Sequence, residues 1–176
     1  MIGGGAVNTI MPAFALMIGD ARTFGYMTSL TGTGFLITSS ALMLKTLAIS
    51  PQKLVAAGLG VIAAADLTWY AAHEPTLAVA IAFVNGVGNE LFGLGFTIFL
   101  QAGAKAHRLP RLLAAVSLAR EGASVISPIL GGTLGGLLGI RVVFLFAAAL
   151  TGTGIFISSL ASGRIDDGEA AKEPTK

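Results

Sequence analysis

The chain has 176 residues, of which 54% are hydrophobic and 11% charged, with a formal net charge of +2 and a mean hydropathy of +0.82. Soluble globular domains carry about a quarter charged residues, because their surface must be wetted, so this composition excludes a soluble domain and predicts an integral membrane protein. The absence of cysteine excludes disulfides and thiolate metal sites, and the small basic excess is typical of cytoplasmic loops rather than of a nucleic-acid-binding surface.

The hydrophobic pattern predicts six transmembrane helices, because six apolar stretches are long enough to cross about 30 Å of hydrocarbon. Short polar or charged segments separate them. The predicted spans are 2–19, 24–44, 54–72, 76–104, 112–139 and 142–160. Residues 162–176 are small, charged and proline-containing, so we expect them to form a disordered cytoplasmic tail.

The lysines and arginines predict the orientation of these spans. If both termini share one side, that side holds eight basic residues, namely Lys45, Lys53, Lys105, Arg108, Arg111, Arg164, Lys172 and Lys176. The opposite side holds only Arg22 and Arg141. Cytoplasmic loops carry the basic excess, so a multi-pass protein of the inner (plasma) membrane with both termini in the cytoplasm is predicted. Trp69 and Tyr70, at the opposite end of the third span, are typical of an interfacial aromatic belt.

The fifth span carries a glycine-proline pattern that predicts close helix packing and a bend. Glycines four residues apart leave one helix face without side chains, so another helix can approach closely. A proline removes one backbone hydrogen bond and kinks the helix. A tight structural contact and a bend about which two halves of a transporter rock are compatible interpretations of this pattern, which comprises Ala123, Ser127, Pro128, Gly131, Gly132, Gly135 and Gly136.

This small-x-x-x-small-Pro-x-x-Gly-Gly pattern resembles the glycine-proline motif in the fifth helix of major facilitator superfamily antiporters, whose repeat-related counterpart lies in the eleventh. Gln101 and the segment from Leu109 to Ser117 are similar to the loop and helix start of drug-efflux-type members, which usually have an arginine where this chain has Ala115. The resemblance covers essentially the whole chain, aligned as helices seven to twelve. It implies the C-terminal half of a twelve-helix transporter, built from two inverted three-helix repeats.

Three ionisable residues, Asp66, Glu90 and Arg120, are predicted to lie in the middle third of the bilayer. Each costs roughly 2.5 to 3.5 kcal/mol at mid-helix on insertion scales, so such residues rarely lack a role. An ion pair between Glu90 and Arg120 is geometrically possible, because the fourth and fifth spans are antiparallel and joined by a short loop. The alternative is a proton-binding Glu90, since a low dielectric favours the protonated form of a carboxyl group.

Other polar residues share helix faces with these charges. Asn85 and Asn89 are four residues apart on the fourth span, and Glu121 belongs to a polar stripe on the fifth. Asn8 lies near mid-depth in the first span. The resemblance implies that the first and fourth spans line a central cavity. The substrate- or proton-binding candidates are therefore headed by Glu90, Asn89, Asn85 and Asn8, and also include Arg120, Glu121 and Asp66. For the amides, interhelical hydrogen bonds are the structural alternative.

The residue patterns of soluble enzymes do not occur in this sequence. His73 and His107 lie in loops on opposite sides of the predicted membrane, so they cannot share a metal. There is no Gly-x-x-x-x-Gly-Lys-Ser/Thr segment to bind a nucleotide. We therefore expect a protein that is not an enzyme and has no cofactor, with membrane lipid and a small molecule, but no nucleic acid, as its partners.

The predicted function is secondary, proton-coupled efflux of small amphipathic molecules. Six helices form only one wall of an alternating-access cavity, so transport requires a second, N-terminal six-helix half, supplied upstream in the same chain or by a separate chain. The first span begins without a flanking charge, so we expect sequence upstream. The alternatives are a non-transport six-helix scaffold or assembly protein, and a truncated product that is inactive alone.

Overall fold

The computed structural model describes residues 2–44, 49–103 and 107–170, with side chains as far as Phe156. Over these ranges every regular element is an α-helix, as predicted for an all-α protein. The helices are α1 (Ile2–Ile18), α2 (Ala21–Leu44), α3 (Pro51–Ala71), α4 (Pro75–Gly103), α5 (Leu109–Leu138) and α6 (Ile140–Ala170). Among the basic residues used to predict orientation, those outside the described residues are Lys45, Lys105, Lys172 and Lys176.

Four helices, α2 to α5, are long and apolar enough to cross a membrane, judged by length and composition. Helix α1 and the segment Ile140–Phe156 of α6 are also apolar but shorter. A helix rises 1.5 Å per residue, so the 17 residues of α1 extend over about 25 Å. Several apolar helices of this kind indicate a membrane-embedded protein.

The helices begin up to three residues before the predicted spans, for identifiable reasons. Pro51 and Pro75 occupy the first positions of α3 and α4, where a proline already has the helical φ and its missing N–H is not needed. Asp20 caps α2. The backbone N–H of Thr23 donates to Asp20 Oδ1 at 3.0 Å, and the backbone N–H of Asp20 donates back to Thr23 Oγ1 at 3.3 Å.

Helix α6 ends later than the predicted sixth span, which stopped at residue 160. It continues to Ala170, so residues 162–170, for which we expected disorder, are helical in the structure. Once a helix is nucleated, each further residue adds one backbone hydrogen bond, which favours continuation beyond the apolar segment. Residues 171–176 of the predicted tail lie outside the described residues.

The helices do not pair in the order in which they occur along the chain. Helix α4 packs mainly along α3 and α2, α3 also packs along α6, and α1 packs along α5 and α6. Smaller contacts join α1 to α2 and α5 to α6, whereas α4 and α5, although consecutive, touch only marginally. Helix α4, which packs along both α2 and α3, therefore makes the most extensive contacts of the described helices.

Glycines provide the closest approaches between helices. A Cβ atom at Gly86 of α4 would overlap the carbonyl oxygen of Thr31 in α2, and one at Gly34 of α2 would lie 2.5 Å from the carbonyl oxygen of Phe83. Real Cβ atoms essentially never come within 3.0 Å of such an atom. The backbones of α2 and α4 consequently touch, as expected for helices that pack through small residues.

An aromatic cluster holds α1, α3 and α6 together. The Phe14 and Phe144 ring centroids are 4.8 Å apart in an edge-to-face arrangement, and the Trp69 and Phe144 centroids are 5.7 Å apart. Trp69 is only 2% exposed, and its indole N–H donates to the carbonyl oxygen of Ala78 at 3.1 Å. The prediction of an interfacial belt was therefore wrong for Trp69, because α4 and α6 cover this end of α3, whereas Tyr70 is exposed.

Replacement of Gly86 by alanine is expected to lower the free energy of unfolding by about 1–3 kcal/mol, because the added methyl group forces the backbones of α2 and α4 apart. Gly93→Ala is the matched control on the same helix, since no described atom of another helix lies within 4 Å of its added Cβ. Denaturant titration in detergent micelles measures both. Equal effects of the two substitutions would contradict the close-packing interpretation.

Candidate functional site: a cleft between α1, α2 and α4

A half-open cleft of about 410 Å³ lies between α1, α2 and α4, and Trp69 of α3 closes one side. Its apolar lining consists mainly of aromatic and thioether side chains, from Met11, Phe24, Met27, Phe35, Trp69 and Ala82. Its polar lining is supplied by Asn8, Thr28, Thr31 and Asn85. Apolar walls with a few polar groups are typical of sites for small organic molecules. Two predicted candidates, Asn8 and Asn85, thus meet in one cleft although they are distant in the chain.

The threonines of the cleft donate their hydroxyl hydrogens to the main chain. Thr28 Oγ1 donates to the carbonyl oxygen of Phe24 at 2.9 Å, one turn earlier in α2. Thr31 Oγ1 is within hydrogen-bond distance of two carbonyl oxygens, that of Met27 in α2 at 2.9 Å and that of Ala82 in α4 at 3.1 Å. The Thr31 hydroxyl therefore joins the two helices across the same seam as Gly34 and Gly86.

Asn85 and Asn89 interact with each other on α4. Asn89 Nδ2 donates to the main-chain carbonyl oxygen of Asn85 at 2.9 Å and to its side-chain Oδ1 at 2.9 Å. Asn85 lines the cleft, whereas Asn89 is not among the lining residues. Of the two predicted amides on α4, that of Asn85 therefore borders the cleft, and that of Asn89 bonds to Asn85 from one turn away.

Glu90 bonds to α2, not to α5. Ser39 Oγ donates to Glu90 Oε1 at 2.6 Å, and Glu90 is half-buried at this contact. The described residues contain no ion pair between Glu90 and Arg120. The ion pair that the sequence allowed does not form, because α4 turns its packed faces towards α2 and α3 and barely contacts α5. Ser39 was not a predicted site residue, and nothing in its sequence neighbourhood distinguishes it from the other hydroxyls of α2.

Helix α5 is the least buried of the long helices. Its buried residues are Ser127 and Gly131, while Arg120 and Glu121 are both exposed. Neither charge has a hydrogen bond or ion pair to a described residue. The predicted charged candidates of α5 therefore lie apart from the cleft.

Only one face of the glycine-proline pattern of α5 packs against another helix. A Cβ at Gly131 would lie 2.6 Å from the carbonyl oxygen of Ala6 in α1, and Gly135 faces Ile10 of the same helix. Ser127 is fully buried against α1 and bonds back to the carbonyl of Ala123.

The other two glycines, Gly132 and Gly136, have no described atom of another helix within 4 Å of an added Cβ. The predicted close approach of α5 to another helix is therefore present on the first face only. Helix α5 continues through Pro128 without interruption.

Asp66 is the most deeply buried of the predicted charged candidates, at 2% exposure. It lies on the face of α3 that also carries Ile62 and Trp69, and it does not line the cleft. The described residues supply neither an ion pair nor a hydrogen bond to its carboxylate. The burial of Asp66 could not be predicted from the sequence, because it depends on which helices cover this face of α3.

No protein-family model matches the sequence, and no curated protein matches it.

Replacement of Asp66 by asparagine is expected to raise the free energy of unfolding by about 1 kcal/mol, because it removes an ionisable group from an apolar contact without changing its size. Unfolding in micelles at pH 8 measures this change. The control is Glu121→Gln, an exposed carboxylate whose replacement should have no measurable effect. A large loss of stability in Asp66→Asn would instead mean that the carboxylate makes an essential bond.

Proposed function

We propose that this chain is one half of a secondary active transporter of the major facilitator type, which exports small amphipathic molecules in exchange for protons. A second six-helix half, joined upstream or supplied by a separate chain, completes the transport pathway. The observation that carries this proposal is the pattern of helix pairing. The resemblance of the glycine-proline motif in α5 to that of antiporters supplies the superfamily.

Most of the pairing is unchanged when α1, α2 and α3 are exchanged with α4, α5 and α6. The exception is the smaller contact of α5 with α6, which has no counterpart of similar extent between α2 and α3 among the described residues. The contact of α1 with α5 corresponds to that of α4 with α2, and the contact of α1 with α6 corresponds to that of α4 with α3. The lesser contact of α1 with α2 corresponds to that of α4 with α5, and the contact of α3 with α6 maps onto itself. Two three-helix repeats of inverted topology, as found in secondary transporters, would produce such a pattern of pairing.

The close contacts at glycine residues are also related by the exchange of α1, α2 and α3 with α4, α5 and α6. Gly131 of α5 meets the backbone of α1 at Ala6, and Gly34 of α2 meets the backbone of α4 at Phe83. In each case the second helix of one repeat touches the first helix of the other repeat. The correspondence supports a common plan for the two halves, although the two stretches of sequence share no obvious motif.

The helices that bound the cleft support such a plan. Transporters of this kind bind substrate at the interface between repeats, near the middle of the bilayer. The cleft is bounded by α1 and α2 of the first unit and α4 of the second. Its aromatic and thioether lining suits an amphipathic molecule, because such side chains adapt to varied apolar shapes.

The exposed charges of α5 support the need for a second half. An arginine or glutamate facing lipid in the middle of a span costs several kcal/mol, so such residues almost always face protein or a water-filled cavity. The side chains of Arg120 and Glu121 form no hydrogen bond or ion pair with a described residue. A second six-helix unit against this face of α5 would supply a partner.

Glu90 is the proposed proton carrier. Its carboxyl group is half-buried in an apolar helix and bonds to Ser39, a neutral hydroxyl that can donate to a carboxylate and accept from a carboxylic acid. No described charge of the neighbouring helices forms an ion pair with it; these charges are Arg22 on α2, Lys53 and Asp66 on α3, and Arg111, Arg120 and Glu121 on α5. Both protonation states are therefore accommodated without breaking an ion pair.

Glu90→Gln in the assembled transporter is expected to abolish the part of transport that depends on a pH gradient, because glutamine keeps the shape and hydrogen bonds of the protonated acid but cannot release a proton. Efflux of the neutral dye Nile red from proteoliposomes, with and without an imposed gradient, measures this dependence. Passive exchange without a gradient should persist.

Two controls accompany this test. Glu121→Gln removes an exposed carboxylate and should leave the gradient dependence in place. Ser39→Ala removes the hydroxyl but keeps the carboxyl group, so gradient-driven efflux should persist. Unchanged gradient-driven efflux in Glu90→Gln would refute Glu90 as the carrier. A stable, inactive protein that co-purifies with a fixed complex would favour the scaffold alternative.

A further inference from the structure

The cleft has few hydrogen-bond donors left for a ligand. A threonine hydroxyl carries one hydrogen, and an indole nitrogen also carries one. Thr28 uses its hydrogen within α2, and Thr31 uses its own on main-chain carbonyls of α2 and α4. The indole N–H of Trp69 is engaged by the carbonyl oxygen of Ala78. Only the amides of Asn8 and Asn85 keep N–H groups that are not bonded to described residues.

The orientation of the Asn85 amide follows from its neighbour. The side-chain atom of Asn89 that contacts Asn85 is within 2.9 Å of a main-chain carbonyl oxygen, which can only accept, so that atom must be the amide nitrogen. The same nitrogen lies 2.9 Å from the nearer side-chain atom of Asn85, which must therefore be the accepting oxygen. The two N–H groups of Asn85 Nδ2 are left without a described partner on a residue that borders the cleft.

We propose that the cleft selects neutral molecules that carry a carbonyl oxygen on an apolar, aromatic-sized body, and that Asn85 Nδ2 donates to this oxygen while Asn89 acts as the positioning residue. Ketones, esters, tertiary amides and quinones belong to this class. The inference rests on the proposed function, since it specifies what the transporter's cleft binds.

The residues that line the cleft explain why the hydrogen-bond acceptor of the proposed ligand is neutral. None of the described residues that line the cleft is charged. A carboxylate or ammonium group would therefore be transferred from water to an apolar site without a counter-charge, which is far more costly than burial of a carbonyl that receives a hydrogen bond. The rings of Phe24, Phe35 and Trp69 supply the apolar contact for the rest of the molecule.

Asn8 does not impose a similar selection. Its amide forms no hydrogen bond with a described residue, so either its oxygen or its nitrogen can face a ligand. Selectivity for an acceptor therefore comes from the α4 wall, where the Asn89 amide holds Asn85 in one orientation.

The test compares two molecules of the same shape, cyclohexyl phenyl ketone and benzylcyclohexane, which differ only in a carbonyl group replaced by CH₂. Trp69 is the single tryptophan of the chain and lines the cleft, so its fluorescence reports binding to the purified protein in detergent. The ketone is expected to bind about tenfold more tightly than the hydrocarbon, since the hydrocarbon leaves the Asn85 donors unpaired in the occupied cleft.

Two substitutions separate hydrogen bonding from shape. In Asn85→Leu the preference for the ketone should disappear while benzylcyclohexane binds at least as tightly as before. In Asn89→Ala the Asn85 amide is free to rotate, so the preference should fall several-fold with little change in hydrocarbon affinity. A merely structural role of Asn89 would weaken both molecules equally.

Equal affinities for the two molecules, or a preference that survives Asn85→Leu, would overturn the inference, as would the absence of binding by either molecule. These results are independent of transport, because binding is measured without a gradient or a second half. Gradient-driven efflux could fail while the ketone preference stands, and the preference could fail while Glu90-dependent efflux stands.

Discussion

The close contact between the backbones of α2 and α4 is the constraint on which the rest of the arrangement depends. Between helices in lipid there is little hydrophobic driving force, so association relies on van der Waals contact and interhelical hydrogen bonds. Gly34 and Gly86 permit that contact, and the Thr31 hydroxyl bonds across it. The same seam brings Ser39 to Glu90. Where the seam ends against α1, the cleft opens.

The polar groups near this seam fall into two kinds. Most are bonded within the protein, as the threonine hydroxyls and the Trp69 indole are, and they stabilise the packing of helices. A few keep capacity for another partner, namely the Asn85 amide and the carboxyl group of Glu90. Sequence alone cannot separate the two kinds, because both consist of the same residue types on apolar helices. The division follows from which groups face one another across a helix pair.

Much of the secondary structure could be predicted, because apolar length and turn signals are local. Pro51, Pro75 and Asp20 even account for the small errors at the helix starts, since each favours a helix beginning. The site was predicted only in part. Asn8 and Asn85 border one cleft, but the pairing of Glu90 with Arg120 was inferred from adjacency of spans along the chain. Neighbouring helices in sequence need not be neighbours in space, and α4 and α5 barely touch.

The sequence by itself determined that this is a helical, membrane-embedded chain, because a composition with 11% charged residues cannot cover a water-facing surface and its apolar stretches are helix-length. It also determined which residues are costly in lipid and therefore candidates for function. The tertiary structure alone decided that Glu90 bonds to Ser39, that Trp69 is buried, and that Asn89 orients Asn85 beside the cleft. These facts depend on which helix faces lie together, and that is set by glycine contacts between residues some fifty positions apart, such as Gly34 and Phe83.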